Sequence, residues 1–448
     1  MHSPNGKQVK LYGQKEVEIS MIDSTIDVLP INTDLALDHL GVGPLPLSLL
    51  VFPKELGEET ALALQKGVKP PSNCNPRFIG LIAKGQVDEA IQELRNLESE
   101  PWVKYDLSVL TGESPLDTGQ TYQQELLILS ELASFTLGKT DTLSPQIFEA
   151  MKREQVPALR ALCGFSLLAL SSESNDLALR LDVLNELNEL ITEPLTPLSA
   201  LIQRTVLTYH RDLKLTPKDA VAGYREALSV LEKTDLSQDV GSIYLELASV
   251  FHELGATNPG YIQEAVRSYQ CATKYFSKET EPEIFGSIQI DLAVCFLAMP
   301  MSGASDTLRY AVAISSLREA SKIFQKDSYP PQWLTTQLNL ANALVYAPSS
   351  HVVENLIEAV SIYSELVKSI DIGHNPMGYA HVMFNWGNAL SHLGDFKEAR
   401  SRLHEARRVF EEFQSYDDVK AVRDLLDEIE RHTMREVADG AIRTDTDG

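Results

Sequence analysis

Residues 377–410, MGYAHVMFNWGNALSHLGDFKEARSRLHEARRVF, constrain the fold of this chain more than any other stretch. They read as two short antiparallel helices joined at Leu393-Gly394-Asp395. Trp386, Gly387 and Leu390 on the first helix, then Ala399, Leu403 and Ala406 on the second, alternate bulk with near-absence of side chain. A small residue lets two helix backbones approach, and a large one fills the gap beside it.

The spacing recurs upstream. The small residue of the second helix falls at Ala220, Ala265, Ala313, Ala359 and Ala399, at intervals of 45, 48, 46 and 40. A large side chain follows each after four residues, at Tyr224, Tyr269, Leu317, Tyr363 or Leu403, and Ala227, Ala272, Ala320, Leu366 or Ala406 comes three later. The first helices carry Leu247-Ala248-Phe251, Leu292-Ala293-Phe296, Leu340-Ala341-Leu344 and Trp386-Gly387-Leu390.

This pattern resembles the tetratricopeptide repeat, in which bulk, Gly or Ala, and bulk occupy the first helix, and Ala, a large residue and Ala the second. The resemblance implies an all-α fold, a right-handed helical superhelix of paired helices, acting as a non-enzymatic protein-interaction scaffold or adaptor. The intervals exceed the family's ~34 residues, and the excess is expected in turns and connections, at 255–261, 298–307 and 347–352. Asn339-Leu340-Ala341-Asn342-Ala343 and Asn385-Trp386-Gly387-Asn388-Ala389 resemble arrays of bacterial signalling proteins, including those that accompany caspase-like proteases.

The chain divides by pattern. Residues 1–75 read as a partly irregular N-terminal arm, with an alternating run at 17–22, a turn at Gly41-Val42-Gly43, and a helix from Glu55 to Lys66 closed by Gly67. Residues 76–198 read as divergent helical repeats, 199–413 as the clear array, and 414–437 as a terminal helix capped at Ser415 that seals the array end. The tail 438–448 has too little apolar surface to fold.

With 63 acidic against 39 basic residues, the formal charge is −24. Such a field repels phosphate backbones, which disfavours nucleic acid and modestly favours basic protein or peptide partners. Cys74, Cys163, Cys271 and Cys295 are widely spaced, without metal-ligand spacing, and read as reduced thiols of a cytoplasmic protein. No stretch approaches the ~20 apolar residues of a membrane helix. No cofactor is expected.

Binding is expected on the first-helix face, the concave side of such an array. His381, Asn385, Asn388 and His392 are spaced by four, three and four residues and share one stripe, and Thr335, Asn339, Asn342 and Tyr346 repeat that register. Asparagine amides both donate and accept, so this ladder suits the backbone of a bound segment. Upstream the register turns acidic, at Asp291 and Glu246, which suits a Lys or Arg further along the ligand. The Lys and Arg clamp by which some family members grip heat-shock chaperone tails has no counterpart at these positions. A second reading keeps the same groove but makes the chain a ligand-responsive regulator of a partner protein.

Catalytic motifs fail on inspection. His210-Arg211-Asp212 imitates a kinase catalytic loop, but Pro217 stands where the magnesium-binding Asn is required. His381 and His392 lie roughly 16 Å apart along a helix, too far for one metal ion.

Overall fold

The computed structural model describes residues 40–42, 50–71, 73–82, 84, 86–97, 101–111, 124–136, 140–153, 157–212, 217–300, 303 and 305–446. The alternating run at 17–22 lies outside the described residues. The chain forms two compact units, Met1–Glu253 and Leu254–Gly448.

In the first unit, strands β1 (Leu40–Val42) and β2 (Val51–Pro53) pair antiparallel, with Val42 opposite Val51 and Gly41 opposite Phe52. Gly41 and Val42, expected in a turn, are therefore strand residues: facing β-branched and aromatic partners favours extended backbone there. The helices that follow are α1 (Lys54–Gln65), α2 (Arg77–Ile82), α3 (Val87–Arg95), α4 (Pro101–Thr111), α5 (Gln124–Thr136), α6 (Pro145–Arg153), α7 (Pro157–Glu173), α8 (Leu177–Asn188), α9 (Pro197–Asp212), α10 (Pro217–Leu231) and α11 (Ser237–Gly255). Gly67, at φ +66°, stops α1 as its position suggests. Two hydrogen bonds then tie this segment to the turn before α11, Lys69 N to Asp235 Oδ2 at 2.7 Å and Asp235 N to the Gly67 carbonyl at 2.8 Å.

Helices α9 and α10 pack as an antiparallel pair with Ala220, Tyr224 and Ala227 fully buried between them and their neighbours. Arg204 on α9 forms a buried ion pair with Asp239 in the first turn of α11.

The second unit contains α12 (Gly260–Ala272), α13 (Pro282–Ala298), α14 (Ser305–Ile323), α15 (Pro330–Tyr346), α16 (Val352–Ser369), α17 (Pro376–His392), α18 (Phe396–Glu412) and α19 (Tyr416–Thr446). Each packs on the next, and α13, α15, α17 and α19 also touch one another in succession, so the first helices of the pairs share one face. Ala265, Ala313, Ala359 and Ala399 are all fully buried. A methyl added at Gly387 would lie 2.7 Å from Leu403 Cγ and 3.2 Å from the Ala399 carbonyl oxygen, so the α17–α18 contact needs a glycine there. Apart from the β1–β2 pair, the described secondary structure is helical, and this packing is a tetratricopeptide-type repeat fold.

The connections are more regular than their length implies. Phe276, Phe324 and Ile370 are each followed after five residues by Glu281, Tyr329 or Asn375, and then by a proline that opens the next first helix. In all three turns the residue before proline donates its backbone N–H to the carbonyl four residues earlier at 2.8 Å. Between α13 and α14, Arg309 pairs with Asp306 and donates to the Met299 carbonyl at 2.8 Å, satisfying a group the helix end leaves unpaired. Part of the excess repeat length lies in the helices themselves, since α13 to α18 run 17 to 19 residues each.

Helix α19 begins where a sealing helix was expected. Ser415 hydrogen-bonds Asp418 at 2.6 Å, and Val419, Val422 and Ile429 are buried against α17 and α18. Its backbone runs on to Thr446, through residues whose composition suggested a tail; a helix already nucleated extends at little further cost. Among the described residues no helix is long and apolar enough to cross a membrane.

Candidate functional site

On the shared face of the second unit, α15 and α17 present the two polar stripes in matching register. Asn385 Nδ2 donates to Asn342 Oδ1 at 3.1 Å, and that same oxygen accepts the Tyr363 hydroxyl at 2.6 Å. One turn on, Asn388 Nδ2 donates to Tyr346 Oη at 2.8 Å, and the His392 ring meets Tyr346 edge to face at 6.3 Å between centroids. Tyr346 and His392 are exposed, while the three asparagines are half-buried. Five of the sequence-predicted residues thus fall into two neighbouring networks, Asn342 with Asn385, and Tyr346 with Asn388 and His392.

The others stand apart from them. Thr335 is exposed and donates to the Pro331 carbonyl of its own helix at 3.1 Å. The side chain of half-buried Asn339 makes no hydrogen bond among the described residues. His381 turns toward α19, with Nε2 3.8 Å from Asp418 Oδ2 and its ring 5.0 Å from that of Phe410. On α13, Asp291 lies near Cys295, whose thiol pKa is pushed up to about 12, first by burial and then by that carboxylate.

Glu246 belongs to the first unit and is not the bare acid expected there. Arg211 of α9 holds it at 2.6 Å, and the same guanidinium reaches Ser249 at 2.8 Å and Glu253 at 3.1 Å. The acid is neutralised by a residue 35 positions away, which no local spacing announces. Arg211, with its neighbours His210 and Asp212, stands in helix α9 instead of a loop.

Sequence reasoning treated Tyr363 only as the large residue of its repeat. It is fully buried on α16, and burial, with a smaller electrostatic effect from Tyr346, pushes its hydroxyl pKa well above the usual value. The phenol therefore stays protonated and available as a donor. A separate cavity of about 460 Å³ lies between α14 and the junction of α15 with α16, over Ala311, Ile314, Leu344 and Pro348. The cations beside it are paired, Arg318 with Glu358 and Lys322 with Glu319.

No protein-family model matches the sequence, and a search of curated proteins finds no match. Solved structures do align. YrrB, a TPR protein with an unusual peptide-binding site, is 14% identical over 47% of this chain and 86% of its own, with a TM-score of 0.34. A Rap protein complexed with Competence and Sporulation Factor is 14% identical over 80% of this chain and 97% of its own, at 0.43. The apo quorum sensor NprR from B. thuringiensis is 13% identical over 78% and 98%, at 0.46.

Proposed function

We propose that this chain is a binding scaffold, and that its second unit holds an extended peptide segment along the polar face of α15 and α17. The observation that carries this reading is the pair of hydrogen-bonded amide networks. Asn342, Asn385 and Asn388 are oriented by Tyr363, by one another and by Tyr346, and each keeps unused amide capacity among the described residues. Groups held in place before a ligand arrives lose little rotamer freedom on binding. Donor and acceptor amides side by side match the alternating C=O and N–H of extended backbone, whatever the ligand's side chains.

The acidic part of the expected gradient carries less weight. With Glu246 tied to Arg211, a basic ligand residue would rely on Asp291 in the second unit.

The test uses the full chain against an array of random-sequence decapeptides. Each amide hydrogen bond contributes about 1 kcal/mol, so losing two weakens binding tenfold or more. Asn385→Ala with Asn388→Ala is expected to do this to the captured peptides. Neither change strands a buried polar atom, so the melting temperature stays within a few degrees of wild type. A double variant that binds as wild type does would sink the groove assignment.

A further inference from the structure

Tyr363 stands behind the groove and cannot touch a ligand, yet it touches the amide best placed to do so. Its hydroxyl crosses from α16 to Asn342 Oδ1 on α15 at 2.6 Å. That separation is ordinary for O–H···O and short for N–H···O, which identifies the amide atom facing the phenol as oxygen. Asn385 Nδ2 donates to the same oxygen at 3.1 Å, so both lone pairs of Asn342 Oδ1 are occupied. Turning the Asn342 amide over would set its NH₂ against the NH₂ of Asn385.

We propose that Tyr363 is the positioning residue that fixes Asn342 with its NH₂ toward the ligand, and thereby sets the polarity and direction of the bound backbone. The inference rests on the reading of this face as a peptide groove. With its oxygen filled, Asn342 can only donate outward. Asn385, one of its two Nδ2 hydrogens engaged by that oxygen, offers Oδ1 as acceptor beside it. A peptide therefore meets a donor at Asn342 and an acceptor at Asn385, which places a ligand carbonyl on α15 and a ligand N–H on α17. A segment running the opposite way in the same register presents like to like. The first unit contains a related contact: Tyr224, at the same place after its repeat alanine, lies 3.1 Å from Thr208 Oγ1 on the paired first helix. Leu317 and Leu403 occupy that place in their repeats and have no hydroxyl to offer.

The probe is the tightest decapeptide captured by wild-type protein from the random array, together with its series of single backbone N-methyl analogues. Wild type is expected to lose tenfold or more at one N-methyl position, the N–H received by Asn385. Tyr363→Phe keeps the ring and removes only the hydroxyl. It is expected to weaken the parent peptide three- to tenfold and to flatten the N-methyl profile, a change that lost packing alone does not produce. Asn342→Asp preserves acceptors for Tyr363 and Asn385 but replaces the outward donor with an acceptor, and is expected to lose at least tenfold in a folded protein. Wild-type affinity and an unchanged N-methyl profile in Tyr363→Phe would overturn the positioning role while leaving the groove intact. Unchanged binding by the Asn385→Ala, Asn388→Ala variant, or an array that yields no ligand, overturns the groove and this inference with it.

Discussion

Arg204 and Asp239 are an ion pair of the first unit whose side chains keep only 5% and 4% of their surface exposed. Burial pushes the Asp239 pKa upward even with the guanidinium in contact, so the pair repays its desolvation only while both members are present. Arg204→Ala leaves a buried carboxylate without its counter-ion and is expected to cost about 3–5 kcal/mol. Replacing both, Arg204→Met with Asp239→Leu, should recover most of that loss; urea denaturation of the three proteins decides the matter. A double variant as unstable as Arg204→Ala would show that shape, not charge, governs the site. Neither this pair nor Arg211 with Glu246 was legible in the sequence, because the partners lie 35 residues apart and only the packing of α9 on α11 brings them together. The amide stripes were legible, since positions 385, 388 and 392 share one helix face by spacing alone. Their interlock was not: it depends on how α15 stacks on α17 and on a tyrosine from a third helix.

At the scale of elements, the alternation of small and large residues located the helix pairs because each small residue marks a place where two backbones meet. Gly387 and Ala399 illustrate the rule on α17 and α18. The connections were harder to see. Unequal repeat intervals drew attention to longer loops at 255–261, 298–307 and 347–352, while elsewhere the aromatic or aliphatic residue, five-residue step and proline at 276–282, 324–330 and 370–376 form one recurring turn. That motif was present in the sequence and becomes meaningful once the proline is understood as the first helical residue. Helix α19 shows what an array end requires. Its buried residues Val419, Val422 and Ile429 share a core with Met383, Leu403 and Phe410 of the preceding pair. Ending the chain after Gln414 uncovers that core to water, where each large apolar side chain exposed costs about 1.5–3 kcal/mol. The truncated protein is expected to have a lower urea midpoint and to bind a hydrophobic dye in its native state. Retention of the full midpoint would mean that the array does not need α19 as its seal.

For the molecule as a whole, acidity and buried acids act together at high pH. The Cys295 thiol and the Tyr379 phenol are both pushed up to about 12, mainly by burial, with Asp291 and Glu405 adding to the shift. Tyr224 and Tyr363 are raised further. In the unfolded chain these groups ionise near 9 for the thiol and 10 for the phenols. A raised folded pKa means that the native state holds protons the unfolded state releases, so the stabilisation is complete below about pH 9 and is lost as pH climbs toward 12. The urea midpoint is therefore expected to be level from pH 7 to 9 and to fall steeply between 10 and 12. Lysines lose charge over the same range and deepen a net charge already at −24, which also favours unfolding by self-repulsion. Salt separates the two causes, because it screens the long-range repulsion and leaves a buried proton equilibrium almost untouched. Tyr379→Phe removes one such equilibrium: its midpoint should fall less between pH 10 and 12 than that of wild type, at low and high salt alike. Identical alkaline slopes for the two proteins would place the whole decline in surface charge.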